Sequence, residues 1–60
     1  MNGKDAERLL RDCQKAIIFL HRLAEKEYGL FQIEKSPLHP AIEILRKERN
    51  FLEQVTQLHR

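Results

Sequence analysis

Lysine and arginine recur through the first half of the chain at Lys4, Arg8, Arg11, Lys15, Arg22 and Lys26, separated by three, four or seven residues. On a helix, at about 100° of rotation per residue, these six fall within about 40° of one direction, opposite Cys13. A row of cations neutralises backbone phosphates and releases their counterions. Phe19, near the same strip with Ile18, offers a ring on which a base can stack. The acidic residues Asp5, Glu7, Asp12, Glu25 and Glu27 lie outside the strip, so it is more positive than the whole chain. Nucleic-acid binding, RNA or DNA, is therefore one reading. The competing one is a solvated helix face whose cations pair with the flanking acids.

Other chemistries find less support. His21, His39 and His59 include no pair spaced i, i+3 or i, i+4, and the single Cys13 adds no second thiolate, so neither metal nor other cofactor is expected. Nucleophilic catalysis needs an activated side chain, but Ser36 precedes a proline at a helix start and Cys13 falls in the middle of an apolar stripe. Glu43 and Glu48 lie on different helix faces and do not make an acid and base pair. The only glycines are Gly3 and Gly29, too few for a phosphate-cradling loop. No catalytic residue and no small-molecule substrate are expected; the chain reads as non-enzymatic.

These residues must be positioned by helices. Apolar residues return at Ala6, Leu9, Leu10, Cys13, Ala16, Ile17, Leu20, Leu23 and Ala24, all within about 80° of the direction of Cys13. The spacing predicts a helix over 5–28, capped by Asn2 or Asp5 and ended by Gly29 in a left-handed conformation, with Leu30 folding back towards Ala24. The connection 29–39 carries Leu30, Phe31 and Ile33. It is expected to pack: if it is extended, Phe31 and Ile33 point the same way and close the end of the core, and the competing reading is an exposed docking loop. In Ser36-Pro37-Leu38-His39-Pro40, Pro40 suits the first helical position, giving a second helix over 40–58 that frays at His59 and Arg60.

The second helix carries two apolar stripes. One holds Leu38, Ala41, Ile42, Leu45 and Leu52; the other, about 100° further round, holds Ile44, Phe51, Val55 and Leu58. A lone hairpin gives the second helix one neighbour, so the second stripe needs another chain. Ile44, Glu48, Phe51, Val55 and Leu58 step by four, three, four and three, the spacing of a coiled-coil seam interrupted by Glu48. The expected fold is all-α, a single-domain antiparallel hairpin of two helices that dimerises into a four-helix bundle through these five residues. Leu20 is expected in the hairpin core and Phe51 at the junction between chains.

Composition agrees with an assembling chain. Sixty residues normally bury only about 60% of the surface that the unfolded chain exposes, which makes a solitary fold marginal. One cysteine allows no intrachain disulfide. A lone thiol, no signal peptide and no apolar run approaching a membrane span predict a soluble, cytoplasmic protein without membrane contact. The net charge of +2, from 11 basic and 9 acidic residues, is too balanced to indicate a nucleic-acid partner by itself.

In length and layout, with the Lys15, Phe19, Arg22 and Lys26 face, the chain is similar to the Rop-type RNA-binding proteins, dimeric four-helix bundles whose first helices present basic residues and an aromatic to RNA. The resemblance implies the same use of that face. The layout also looks like the small response-regulator phosphatases of sporulation control, whose second helix carries Ser-x-x-x-Asp. Here Ser36 to Pro40 holds no aspartate, and that activity is not implied. The expected function is that of a regulatory or adaptor protein acting through helix-to-helix contact with another protein, as a homodimer.

Overall fold

The computed structural model describes residues 3–58. Two long helices, α1 (Gly3–Tyr28) and α2 (His39–Leu58), fold back on one another across a 3₁₀ segment at Leu30–Lys35. Cys13 lies beside Leu45, Leu10 beside Thr56 and His21 beside Ile42, so the two helices run antiparallel. No strand occurs among the described residues, and the hairpin is a rod of 39 × 14 × 14 Å.

Both helices begin earlier than the sequence predicts. α1 starts at Gly3, which puts Asp5 inside its first turn, where a carboxylate favours the positive end of the helix dipole. The alternative cap, Asn2, lies outside the described residues, as does the fraying expected at His59 and Arg60. α2 starts at His39 because buried Ser36 organises the approach to it. Its hydroxyl accepts from the Leu38 amide at 3.1 Å and its carbonyl accepts from the His39 amide at 3.0 Å. Pro40 then falls in the first turn, where a missing amide costs nothing.

α1 ends where the Gly29 amide donates to the Glu25 carbonyl at 2.8 Å. Gly29 has the predicted positive φ, 81°, but ψ is 161°, so it occupies the extended mirror region that is essentially glycine's alone, not the left-handed helical one. The chain then turns through 3₁₀ bonds instead of extending, and this overturns the expected packing of the connection. Leu30 is exposed and Phe31 is 97% exposed, while Ile33 alone of the three packs against the core. At about three residues per turn, Phe31 and Ile33 diverge by about 120°, whereas a strand would have put them on one side.

The buried core is Ala6, Cys13, Ile17, Ala24, Ile42 and Leu52, with Leu10, Leu20, Leu38 and Leu45 packed around it. Three of the four positions from α1 are small, so α2 lies close and its larger Ile42, 1% exposed, fills the seam. Buried Thr56 satisfies its hydroxyl within its own helix, donating to the Glu53 carbonyl at 2.9 Å. Two expectations shift. Leu20 is half-buried at the edge of the core, and Ala41, assigned to the inner stripe, is exposed. One cylindrical neighbour covers only a narrow arc of a helix, and both residues stand towards the rim of that arc.

Candidate interaction surface

The apolar surface left uncovered lies on both helices. Leu9, Asp12, Cys13 and Ala16 of α1 line one groove with Leu45, Glu48, Phe51 and Leu52 of α2, with a volume of about 380 Å³. The same flanks of both helices therefore face one side of the hairpin. Heptad steps from these residues extend that side to Leu23 on α1 and to Ile44, Val55 and Leu58 on α2. Leu9 and Leu23 are exposed, as are Ile44 (63%), Phe51 (56%) and Leu58 (83%); Val55 is half-buried. The second stripe thus stands clear of the first helix, and α1 adds a flank that its pattern, taken as one continuous stripe, conceals.

Glu48 is exposed at the middle of this side. Its helical neighbours three and four residues away are Ile44, Leu45, Phe51 and Leu52, so no cation stands beside it on α2. Behind the groove, the Cys13 thiol donates to the Leu45 carbonyl at 3.1 Å. Burial is the main cause that raises its pKa above 9.0; the Glu48 charge raises it further, while Arg49 acts in the opposite direction through its charge and its backbone. Such a thiol stays neutral at physiological pH and is a poor nucleophile and a poor metal ligand.

The six cations of the first helix, Lys4, Arg8, Arg11, Lys15, Arg22 and Lys26, are all exposed, and Phe19 is exposed beside them. At a rise of about 1.5 Å per residue the row runs about 33 Å along α1. Among the described residues the ion pairs are His21–Glu25 at 3.6 Å, His39–Glu43 at 3.5 Å and Arg46–Glu43 at 3.1 Å, and none draws on this row.

One juxtaposition is invisible in the spacing. His21 and His39, eighteen positions apart, line a single cavity of about 230 Å³ at the closed end of the hairpin, with Arg46, Glu34 and the exposed Phe31. Each histidine is turned towards a carboxylate four residues on, Glu25 or Glu43. No group of three metal-ligating side chains forms among the described residues. Only the antiparallel return of the chain brings both residues to one cavity.

What the geometry defines is an α-helical hairpin with one apolar side, one basic edge and, among the described residues, no helix long and apolar enough to cross a membrane. Comparison with family models, with curated proteins and with solved structures finds no match to this chain.

Proposed function

We propose that this is a non-enzymatic regulatory or adaptor protein that acts through helix-to-helix contact and works as a homodimer, two hairpins closing a four-helix bundle. The observation that carries the reading is the apolar side shared by both helices, centred on Phe51. A partner helix engages the same side in place of the second copy. Sedimentation equilibrium at micromolar concentration tests the reading. Two chains are expected, with Phe51→Ala shifting the mass to one while the circular dichroism spectrum keeps its helical shape. A well-folded monomer at every concentration refutes it.

The exposed basic row with Phe19 supports a second reading, nucleic-acid binding. Phosphate contacts make affinity fall steeply with salt, whereas docking on Ile44, Phe51 and Val55 is much less sensitive. Replacing Lys15, Arg22 and Lys26 together with glutamine discriminates. If the unmodified protein retards a mixed RNA or duplex DNA pool at about 100 mM salt and the triple variant does not, with helicity unchanged, the adaptor reading gives way to nucleic-acid binding. If neither retards any pool, the row is a solvated face.

A further inference from the structure

We infer that the flank where Arg49 of α2 meets Gln14, Ile17 and Ile18 of α1 is a pocket for one unstacked guanine of a single-stranded nucleic acid whose backbone follows the basic row; this rests on the nucleic-acid reading. The four residues line a groove of about 260 Å³. Ile17 is buried, Arg49 half-buried, and Gln14 and Ile18 are exposed. The Arg49 Nε is itself buried, and among the described residues no hydrogen-bond acceptor meets it. Elsewhere on the guanidinium, Nη2 reaches the Asn50 Oδ1 only at 3.4 Å, a long bond. A buried donor without an acceptor is costly, and a ligand that brings acceptors into the groove removes that cost.

The row decides what kind of polyanion lies beside the groove. Its cations stay within about 40° of one direction, and acids flank them on both edges: Glu7 and Glu25 about 60° from the centre, Asp12 and Asp5 about 80–100° away on the other side. A duplex presents two phosphate backbones across each of its grooves, and the second would fall on an acidic edge. A single strand needs one line of cations only. That line has one wide interval, between Lys15 and Arg22, of about 10 Å along the helix. Ile18 and Phe19 occupy the interval, at opposite edges of the row. There a strand can turn one base towards Ile18 and the groove and lay another on the exposed Phe19 ring.

Arginine carries donors alone, so the base edge that Arg49 meets must carry acceptors. Guanine sets N7 and O6 side by side, matching the guanidinium fork, whereas adenine sets a donor beside its N7. Uracil has no adjacent pair of acceptors. Cytosine has one, but the two rings of guanine cover more of Ile17 and Ile18. At the mouth, the Gln14 amide offers both a donor and an acceptor. Gln14 and Ile18 stand about 100–140° to one side of Cys13, and Leu9, Asp12 and Ala16 about 40–100° to the other. A partner on the apolar side therefore leaves the groove open.

The probes are fluorescein-labelled strands of about ten nucleotides, each made as RNA and as DNA and read by fluorescence anisotropy at about 50 mM salt. One is all uridine (thymidine in DNA), and the others carry a single central guanosine or cytidine. In the series that binds more tightly, one guanosine is expected to strengthen binding about tenfold, the scale of one bidentate contact, and pairing the strand with its complement to weaken it at least as much. Arg49→Lys keeps the charge but not the fork, and is expected to lose the guanosine preference while keeping its affinity for the all-uridine strand. Gln14→Glu, at an exposed position, engages Arg49 with a carboxylate and is expected to lose the preference too; circular dichroism establishes that each variant is folded. A duplex bound as tightly as its single strand overturns the single-strand assignment and leaves the nucleic-acid reading standing. Equal affinity for the guanosine and all-uridine strands, tighter binding of the cytidine strand, or a guanosine preference kept by both folded variants overturns the pocket. No binding of any strand removes the nucleic-acid reading, and the pocket with it.

Discussion

Ile42 and Ile44 provide a controlled comparison, because the same residue type occurs twice, two positions apart on α2, with opposite burial. Ile42 is 1% exposed and Ile44 63%. Replacing either with alanine improves intrinsic helix propensity by about 0.4 kcal/mol, so that contribution cancels between them. At Ile42 the change removes three buried carbons and leaves a cavity in a seam that small α1 side chains cannot refill, a loss of about 2–5 kcal/mol. At Ile44 only about a third of the side chain is covered within its own hairpin, and the loss is about 0.5 kcal/mol, largely offset by propensity. A sixty-residue protein has about 3–9 kcal/mol in hand, so in mid-range Ile42→Ala removes roughly half of it. Urea unfolding followed by circular dichroism, over a range of protein concentrations, measures both variants. At the lowest concentrations Ile42→Ala is expected to unfold at a much lower urea midpoint than the parent and Ile44→Ala to match it. Equal losses for the two, independent of concentration, would show that the inner and outer stripes of α2 have been assigned wrongly.

Gly29→Ala tests the turn. Nothing lies within 4 Å of a Cβ at that position, so any loss comes from the backbone alone. A cost of about 1–3 kcal/mol is expected for a side chain held at φ 81°, ψ 161°, read as a lowered urea midpoint with an unchanged slope. An unchanged midpoint would mean that the chain leaves α1 by another path. Cys13 should react with iodoacetamide at pH 8 more slowly than a free cysteine, because it is buried and burial raises its pKa, which thins the thiolate population. The rate of an unfolded peptide would place the thiol outside the core.

The two helices are legible in the sequence because each carries a sustained period, because Gly29 and Pro37 interrupt the chain between them, and because Pro40 suits a first helical turn. Exposure within the stripes is less so. A period locates the apolar side of a helix but not how wide an arc the neighbour covers, which is why Leu9 and Leu23 stand outside and why Ala41 does not join Ile42. In the connection, an apolar residue carries no record of its φ and ψ. Phe31 looks like core by composition and is presented outward by 3₁₀ geometry. The exposure of the basic row and of Ile44, Phe51 and Leu58 depends only on position along one helix, and it is readable in advance. The shared cavity at His21 and His39 depends on a return of the chain that no local pattern encodes.

The tight closed end also sets an order of events in folding. His21 and His39 line one cavity across eighteen positions, Cys13 bonds to Leu45 across thirty-two, and Leu10 and Thr56 line a second cavity across forty-six. The entropy of closing a loop grows as about 1.5RT times the logarithm of its length, so the last of these closures costs about 0.8 kcal/mol more than the first if each forms alone. Once the turn at Gly29 to Ser36 is in place, each further pair closes only a short increment of chain. The hairpin is expected to close from the turn like a zipper and to fray from the other end, so amides near Leu10 and Thr56 exchange with solvent before those around Ile42.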